Sequence, residues 1–152
     1  MPGVGNVVAQ VIVAEVGVDM GRFPTAGHLV SWAGLCPRMD QSAGKRRSTR
    51  IRHGAPWLKT VLAQAAWAGS RTRDSYLRAQ FLRLKGRRGA KKAIIAVAAS
   101  MLSAAYHMLR DGVQYHDLGA DYLDRRDRAK VANRLIHRLE QLGLKVKVEA
   151  AA

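Results

Sequence analysis

Residues 93–109 form a run of 17 residues without Asp, Glu, Lys or Arg. This run is short for a membrane span, and its alanines and serines make it less apolar than such spans usually are. A helix that is apolar on most of its surface is typical of the interior of a protein. Hydrophobic residues make up 48% of the chain, which is enough to build a core around such a helix. We therefore predict that this segment is the central core helix of the fold.

Apolar residues at helical spacing indicate further helices on both sides of the core helix. Gly17 and Gly34 are expected to end the first two helices, Thr25 to cap the second and Pro56 to begin the third. The predicted helices cover residues 6–16, 25–33, 55–70, 74–85, 91–110 and 121–142. The predicted fold class is all-α. We expect a small helical domain over residues 1–112, and an extension over residues 113–152 that contains an amphipathic C-terminal helix.

The chain opens with Pro2-Gly3-Val4-Gly5 ahead of an apolar helix. This pattern is similar to the hairpin of a helix-hairpin-helix element, in which glycine N–H groups and a helix N-terminus bind a phosphate. Gly3 and Gly5 are therefore candidate nucleic-acid-binding residues. A plain turn is the alternative, because a single Gly-x-Gly is a weak motif.

The positive charge is concentrated in the middle of the chain. Residues 38–92 contain 16 Lys and Arg against two acidic residues, which gives this segment +14 of the total formal charge of +15. The remaining residues are nearly neutral. Such a basic surface is typical of a protein that binds a polyanion, namely DNA, RNA or an acidic membrane.

The most basic stretch is a long loop predicted for residues 35–54. Its Ser42-Ala43-Gly44 turn leads directly into five cations, and such groups bind phosphate well. We predict that this loop binds a polyanion. The Ser42 hydroxyl beside the cations is a candidate nucleophile toward a phosphodiester, and a serine that only caps a turn is the alternative. The five cations are Lys45, Arg46, Arg47, Arg50 and Arg52.

A second group of cations lies at the start of the core helix and is a further candidate for nucleic-acid binding. Cations at a helix N-terminus oppose the helix dipole, which suggests that an anion or a partner compensates them. Among the three tryptophans, Trp57 and Trp67 occupy apolar positions on helices and are predicted to pack in the core rather than to stack on bases. The second group comprises Arg87, Arg88, Lys91 and Lys92.

Cys36 is the single cysteine, so no internal disulfide forms, which fits a reducing cytoplasm. We expect a cytoplasmic, nucleoid-associated protein, because the N-terminus has no signal-peptide pattern. The histidines show no metal-ligand spacing with Cys36, and most acidic residues follow a surface-like pattern in the last third. We therefore expect no metal site within this chain, and nothing favours a Ser-His-Asp triad.

Four motifs in order resemble one protein family. They are PGVG with its apolar helix, RFPTAGHLVSWAGLCPR, QSAGKRRSTRIRHG and WLKTVLAQAAW. Together they are similar to the C-terminal transposase domain of the IS110 insertion-sequence transposases, the class that includes the Piv DNA invertase. The resemblance extends from about Pro2 to Arg110.

The resemblance implies that Ser42 is a nucleophile that attacks a DNA phosphodiester and holds the strand covalently, as in a serine recombinase. It also implies a structured guide RNA that pairs with DNA and assembly into homo-oligomers. We expect no membrane partner. In the family, a separate RuvC-like N-terminal domain supplies acidic residues that bind Mg²⁺. That domain is absent from this chain, so Mg²⁺ is expected only together with it, and no cofactor is expected in the chain itself.

The chain departs from the family pattern at several positions. Gln41 and Ala43 stand where many members have serine and glycine, and Thr49 stands where many have glycine. Without the acidic domain, the chain is expected to be a fragment, a split gene product or a decayed copy that cannot recombine DNA alone. Two alternatives stay open. One is a non-catalytic nucleic-acid-binding fragment in which Ser42 is idle, and the other is a helical domain that assembles through its last helix.

Overall fold

The computed structural model describes residues 1–38, 40–48 and 50–149, and for Asp40, Arg46 and Arg47 it describes the backbone. The regular secondary structure of these ranges is helical apart from one short β-hairpin, which confirms the predicted all-α class. The elements are α1 (Asn6–Val16), a 3₁₀ turn (Met20–Arg22), α2 (Ala26–Trp32), β1 (Asp40–Ser42), β2 (Lys45–Ser48), α3 (Pro56–Gly69), α4 (Tyr76–Arg88), α5 (Ala90–Asp111), α6 (Tyr122–Arg125) and α7 (Arg128–Gln141).

Helix α5 is the centre of the fold, as predicted, and it packs against α2, α3 and α4. It is long and apolar enough to cross a membrane, but a buried core helix meets the same criteria. Tyr106, only 1% exposed, donates its hydroxyl to the Phe23 carbonyl at 2.9 Å and so ties α5 to the segment before α2. The buried face of α5 consists of Ala93, Ile94, Val97, Ala98, Met101, Leu102, Ala105 and Tyr106.

Two predicted helix boundaries were wrong. Helix α4 continues through Gly86 to Arg88, and the break falls at Gly89, whose φ is +81°. A single glycine inside a helix costs only about 1 kcal/mol, so Gly86 is tolerated. The last helix is divided into α6 and α7 because Asp127 leaves the helical conformation and caps α7 by accepting the Lys130 N–H.

The segment between α5 and α6 fastens the C-terminal extension to α4. Asp117 accepts the Tyr76 N–H at the start of α4 at 2.9 Å, and it also accepts the Gly119 N–H and the Tyr115 hydroxyl. Burial opposes the charged form of Asp117, but these three hydrogen bonds outweigh it and lower the pKa of its carboxyl. Burial and the nearby Asp117 raise the pKa of Tyr115 to about 12. Tyr122 of α6 packs edge-on against Tyr76.

The first and last helices expose apolar residues. We predicted a buried α1, but only Ile12 and Val16 of this helix are buried, and Val7 is 71% exposed. Helix α7 contains no buried residue, so the apolar stripe that includes Leu135 and Leu139 faces solvent. Helix α1 contacts α3 through its buried side, but the exposed apolar residues of α1 and α7 are not covered by packing within the described part of the chain.

Candidate nucleic-acid interface

The predicted basic loop contains a β-hairpin. Strands β1 and β2 are antiparallel, with Gln41 opposite Arg46 and Ser42 opposite Lys45. Ala43 and Gly44 connect them with φ of +48° and +75°. Positive φ at both residues is the pattern of a type I′ turn, whose twist matches that of antiparallel strands. We call residues 35–54, which include this hairpin, the arm.

Backbone pairing continues toward the base of the arm. Pro37 and Ile51 form an antiparallel bridge, and the Arg38 N–H donates to the Arg50 carbonyl at 2.9 Å. The register shifts between Asp40 and Gln41, as in a β-bulge, and such a bulge bends a hairpin and increases its twist. The arm is thus a paired two-stranded structure over most of its length.

Two glycines and one lysine fix the arm to the helical domain. The backbones of Gly34 and Gly54 touch, and both residues have positive φ. A Cβ on Gly54 would overlap the Ala33 carbonyl carbon and the Gly34 nitrogen. Beside this contact, Lys59 of α3 donates its ammonium to the carbonyls of Arg52 at 2.9 Å and His53 at 2.6 Å. We call this junction the root of the arm.

Ser42 lies at the tip of the arm and is exposed. Because Ser42 and Lys45 are directly paired, their side chains leave the same face of the hairpin, with Cβ atoms about 5 Å apart in such pairs. Among the described residues, none makes a side-chain hydrogen bond with the Ser42 hydroxyl. The sequence indicated a serine near several cations, and the structure assigns Lys45 as its cross-strand neighbour.

The other cations of the arm lie in β2 and in the segment that follows it. Lys45, Arg50 and Arg52 are exposed, whereas the side chains of Arg46 and Arg47 lie outside the described part of the chain. Residues 41–73 contain no Asp or Glu, so neither the tip nor the following helix α3 carries a side chain that would neutralise these cations locally. Such a surface attracts phosphate.

The second basic group spans the sharp α4–α5 connection. Arg87 and Arg88 belong to the last turn of α4, where cations are favourable, and Lys91 and Lys92 to the first turn of α5, where they oppose the dipole. All four are exposed, and α5 has no side-chain cap. The unfavourable arrangement that we predicted therefore applies to the two lysines and not to the two arginines.

Gly3 and Gly5 have different surroundings. A Cβ on Gly3 would overlap the Ala65 carbonyl oxygen and would lie 2.7 Å from the Gly69 nitrogen, so this glycine lets the N-terminal turn pack on α3. Gly5 precedes α1, has open space around it, and provides no side-chain cap. Gly3 is thus explained by packing, and the phosphate-binding role of both glycines stays a prediction.

Trp57 was placed wrongly by the sequence analysis. It is 74% exposed, and the neighbouring Leu58 occupies the buried position at this end of α3. Trp67 is 41% exposed and packs edge-on against Phe81. An exposed tryptophan beside the root of a basic arm is a functional candidate that the helical pattern alone had assigned to the core.

No metal centre is formed by the described part of the chain. Within residues 1–38, 40–48 and 50–149 there is no group of three or more His, Cys, Asp or Glu side chains that could hold a metal ion. The cluster of carboxylates that a two-metal phosphoryl-transfer site needs is not assembled by these residues. The described residues therefore do not by themselves fit a resident site of that kind.

Residues 1–82 match the model of the family described as "Transposase IS116/IS110/IS902 family". The chain belongs to this transposase family. The "Insertion element IS110 uncharacterized 43.6 kDa protein" of Streptomyces coelicolor is 35% identical over 117 residues, which cover 76% of this chain and 28% of that protein. The chain therefore spans less than a third of the length of this curated relative. No solved structure matches the chain.

The part of this transposase-family chain that matches the family model contains the arm, its root and α3, and it ends within α4. Ser42 and the five arm cations thus lie in the shared region. Arg87, Arg88, Lys91 and Lys92 lie beyond it. This division separates the two basic groups and makes the arm the stronger candidate site of the two.

Proposed function

We propose that the chain is the serine-bearing, nucleic-acid-binding part of a DNA transposase or site-specific recombinase. The observation that carries the proposal is the arm, which presents Ser42 at its tip directly opposite Lys45. Membership of a transposase family supports a role in cutting and joining DNA. The positive charge of the arm supports binding of the DNA backbone.

In the proposed reaction the Ser42 oxygen forms a bond to the phosphorus of a DNA phosphodiester. The bond to one sugar oxygen breaks, and that oxygen leaves with the electron pair. The serine proton passes to a general base; among the side chains that the structure describes, no His, Asp or Glu contacts Ser42. The resulting serine phosphodiester replaces the one that was cut, so attack by a sugar hydroxyl can reverse the step and join strands.

The arm cations stabilise the negative charge that develops on the phosphate oxygens during this attack. Lys45 is the nearest candidate because it is the cross-strand neighbour of Ser42, and Arg50 and Arg52 follow β2 farther along the arm. Cations fixed in advance around a reacting phosphate lower the barrier without reorganising during the reaction. We assign binding of the flanking backbone to Arg46 and Arg47 and to the group at Arg87–Lys92.

The proposal includes three partners besides DNA. They are a structured guide RNA, an acidic N-terminal domain of the same family that supplies the Mg²⁺-dependent half of the active site, and a second copy of the chain. The exposed apolar stripe of α7 supports self-association, since a helix of 14 residues is marginally stable without a packing partner. The acidic domain is a partner because the described residues do not assemble a carboxylate site.

Removing the arm cations should flatten the salt dependence of nucleic-acid binding. For duplex DNA the slope of log K against log salt changes by about 0.9 for each phosphate contact that is lost. We expect the triple variant Arg46→Ala, Arg47→Ala, Arg50→Ala to reduce the slope by about 2 to 3 on this basis. Fluorescence anisotropy over a salt series measures the slope, and the mass of the complex by ultracentrifugation shows whether more than one copy binds.

The matched control removes the same charge from the extension. Arg126, Arg134 and Arg138 are exposed residues of the α6–α7 region. Their triple alanine variant should weaken binding slightly through net charge and should leave the slope nearly unchanged. Equal changes in slope for both triple variants would place the DNA-contact surface elsewhere than on the arm.

A further inference from the structure

We infer that Trp57 is a stacking platform for an unpaired base of the nucleic acid that the arm holds. The inference rests on the proposed function, because it names a second ligand group, a nucleobase, beside the phosphate that the arm cations would bind. The observations that support it are the exposure of Trp57, its attachment to the root of the arm, and the absence of acidic residues around it in the sequence.

The exposure of Trp57 is not a consequence of crowding in the core. Leu58 is fully buried, and the helical period turns its neighbour Trp57 by about 100° away from the core. Trp32 packs against Phe23 at 5.7 Å and Trp67 against Phe81 at 5.6 Å. Trp57 makes no ring contact with any of the described residues. Of the three tryptophans it therefore has the most free ring surface.

The position of Trp57 relative to the arm is fixed by the root. It follows Gly54, whose backbone contacts Gly34, by three residues. It precedes Lys59, whose ammonium holds the Arg52 and His53 carbonyls, by two. The backbone that carries the Trp57 ring is therefore fixed at the base of the arm, so only the side chain itself has to be ordered when a base binds.

The chemistry around Trp57 favours a nucleobase over a protein partner. A base–aromatic stack needs a free ring face next to cations that hold the backbone, and single-strand binding proteins combine these two features. Residues 41–73 supply exposed cations and no carboxylate. An unpaired base, and not a duplex, is the ligand, since a base inside a duplex has no free face for the ring.

The test compares single-stranded and duplex oligonucleotides of one sequence. We expect Trp57→Ala to weaken binding of a 12-nucleotide single strand on the order of tenfold, the usual effect of losing one stacking contact. Duplex binding should change less than about twofold, and Trp57→Phe should retain most of the affinity, because a smaller ring still stacks.

The wild-type chain should show tryptophan quenching on binding that Trp57→Phe lacks. Parallel DNA and RNA strands show which nucleic acid supplies the base.

Three results would overturn the inference. The first is an unchanged single-strand affinity in Trp57→Ala, and the second is an equal loss of affinity for single strand and duplex. The third is a difference in mass between the Trp57→Ala variant and the wild-type chain in the absence of nucleic acid, which would make Trp57 a contact between copies. The arm triple variant separates this inference from the proposed function. If that variant loses salt-sensitive binding and Trp57→Ala does not, only the stacking role fails. If neither variant affects binding, the proposed function fails as well.

Discussion

Replacing Ser42 with alanine is expected to abolish the covalent protein–DNA species while leaving binding and folding intact. The expected loss is complete, because the bond to phosphorus requires the hydroxyl oxygen and alanine offers no substitute. The free energy of unfolding should change by less than about 0.5 kcal/mol, since Ser42 is exposed and touches no core residue. The DNA-binding affinity should stay within about twofold, because the arm cations that bind the DNA backbone are unchanged.

The reaction mixture contains the chain, a branched donor–target junction DNA, a structured guide RNA, Mg²⁺ and the acidic N-terminal domain of the family supplied as a separate protein. A denaturing gel with labelled DNA detects the adduct. Omitting the acidic domain should prevent adduct formation, because the described residues do not assemble a carboxylate cluster. An adduct that needs both Ser42 and the added domain would demonstrate a shared active site.

Ser48 is a matched control within the same arm. Its hydroxyl accepts the Arg50 N–H at 3.2 Å and it lies in β2, away from the tip. Ser48→Ala should form the adduct at a rate within a few fold of the wild type. Tight, salt-sensitive binding without any adduct would contradict the nucleophile role of Ser42. The chain would then be a non-catalytic nucleic-acid-binding fragment of a transposase.

The helical part of the fold was predictable because its signals are local. Apolar spacing indicated α5 as the core, Thr25 marked the start of α2, and Gly17 and Gly34 marked helix ends. Each of these signals acts within a few residues through capping or backbone conformation, so no tertiary information was needed. The same local reasoning missed Asp117, which caps α4 from 41 residues away.

The hairpin in the arm was not predictable because its strands lack the usual sequence pattern. Lys and Arg have low strand propensity, and Ala43 replaces the Asn, Asp or Gly that normally marks the first position of a type I′ turn. The alanine holds positive φ at a cost of about 1 to 2 kcal/mol. Long-range contacts at the root compensate for this cost, and a single sequence does not display them.

Sequence reasoning could name the candidate site residues, whose roles stay predictions, but it could not give their arrangement. The basic stretch singled out the cations and Ser42, and the family resemblance implied the role of Ser42, whereas the pairing of Ser42 with Lys45 required the hairpin register. Trp57 was misassigned since periodicity fixes the buried face poorly at the first turn of a helix, where few neighbours define it. An exposed aromatic next to a glycine-fixed root is visible only in three dimensions.

Replacing Gly54 with alanine is expected to destabilise the chain strongly and to disrupt the root of the arm. Gly54 has φ of +53°, and a Cβ there would overlap the backbone of Ala33 and Gly34. The left-handed conformation costs an alanine about 1 to 2 kcal/mol, and the overlap adds about 1 to 3 kcal/mol. The free energy of unfolding should therefore fall by about 2 to 5 kcal/mol, measured by urea denaturation with circular dichroism.

Two other glycines separate the causes of this loss. Gly44→Ala at the tip has positive φ but open space, so it should cost only the conformational part, about 1 to 2 kcal/mol, and it should leave the core helices folded. Gly86→Ala lies inside α4 with open space and ordinary φ, so it should stabilise the chain by about 1 kcal/mol. If the root is a close backbone contact, the loss in free energy of unfolding should increase in the order Gly86→Ala, Gly44→Ala, Gly54→Ala. If Gly54→Ala were as stable as Gly44→Ala or more stable, the arm would not be anchored at Gly34 and Gly54. The fixed placement of Ser42 and Trp57 would then lose its structural basis.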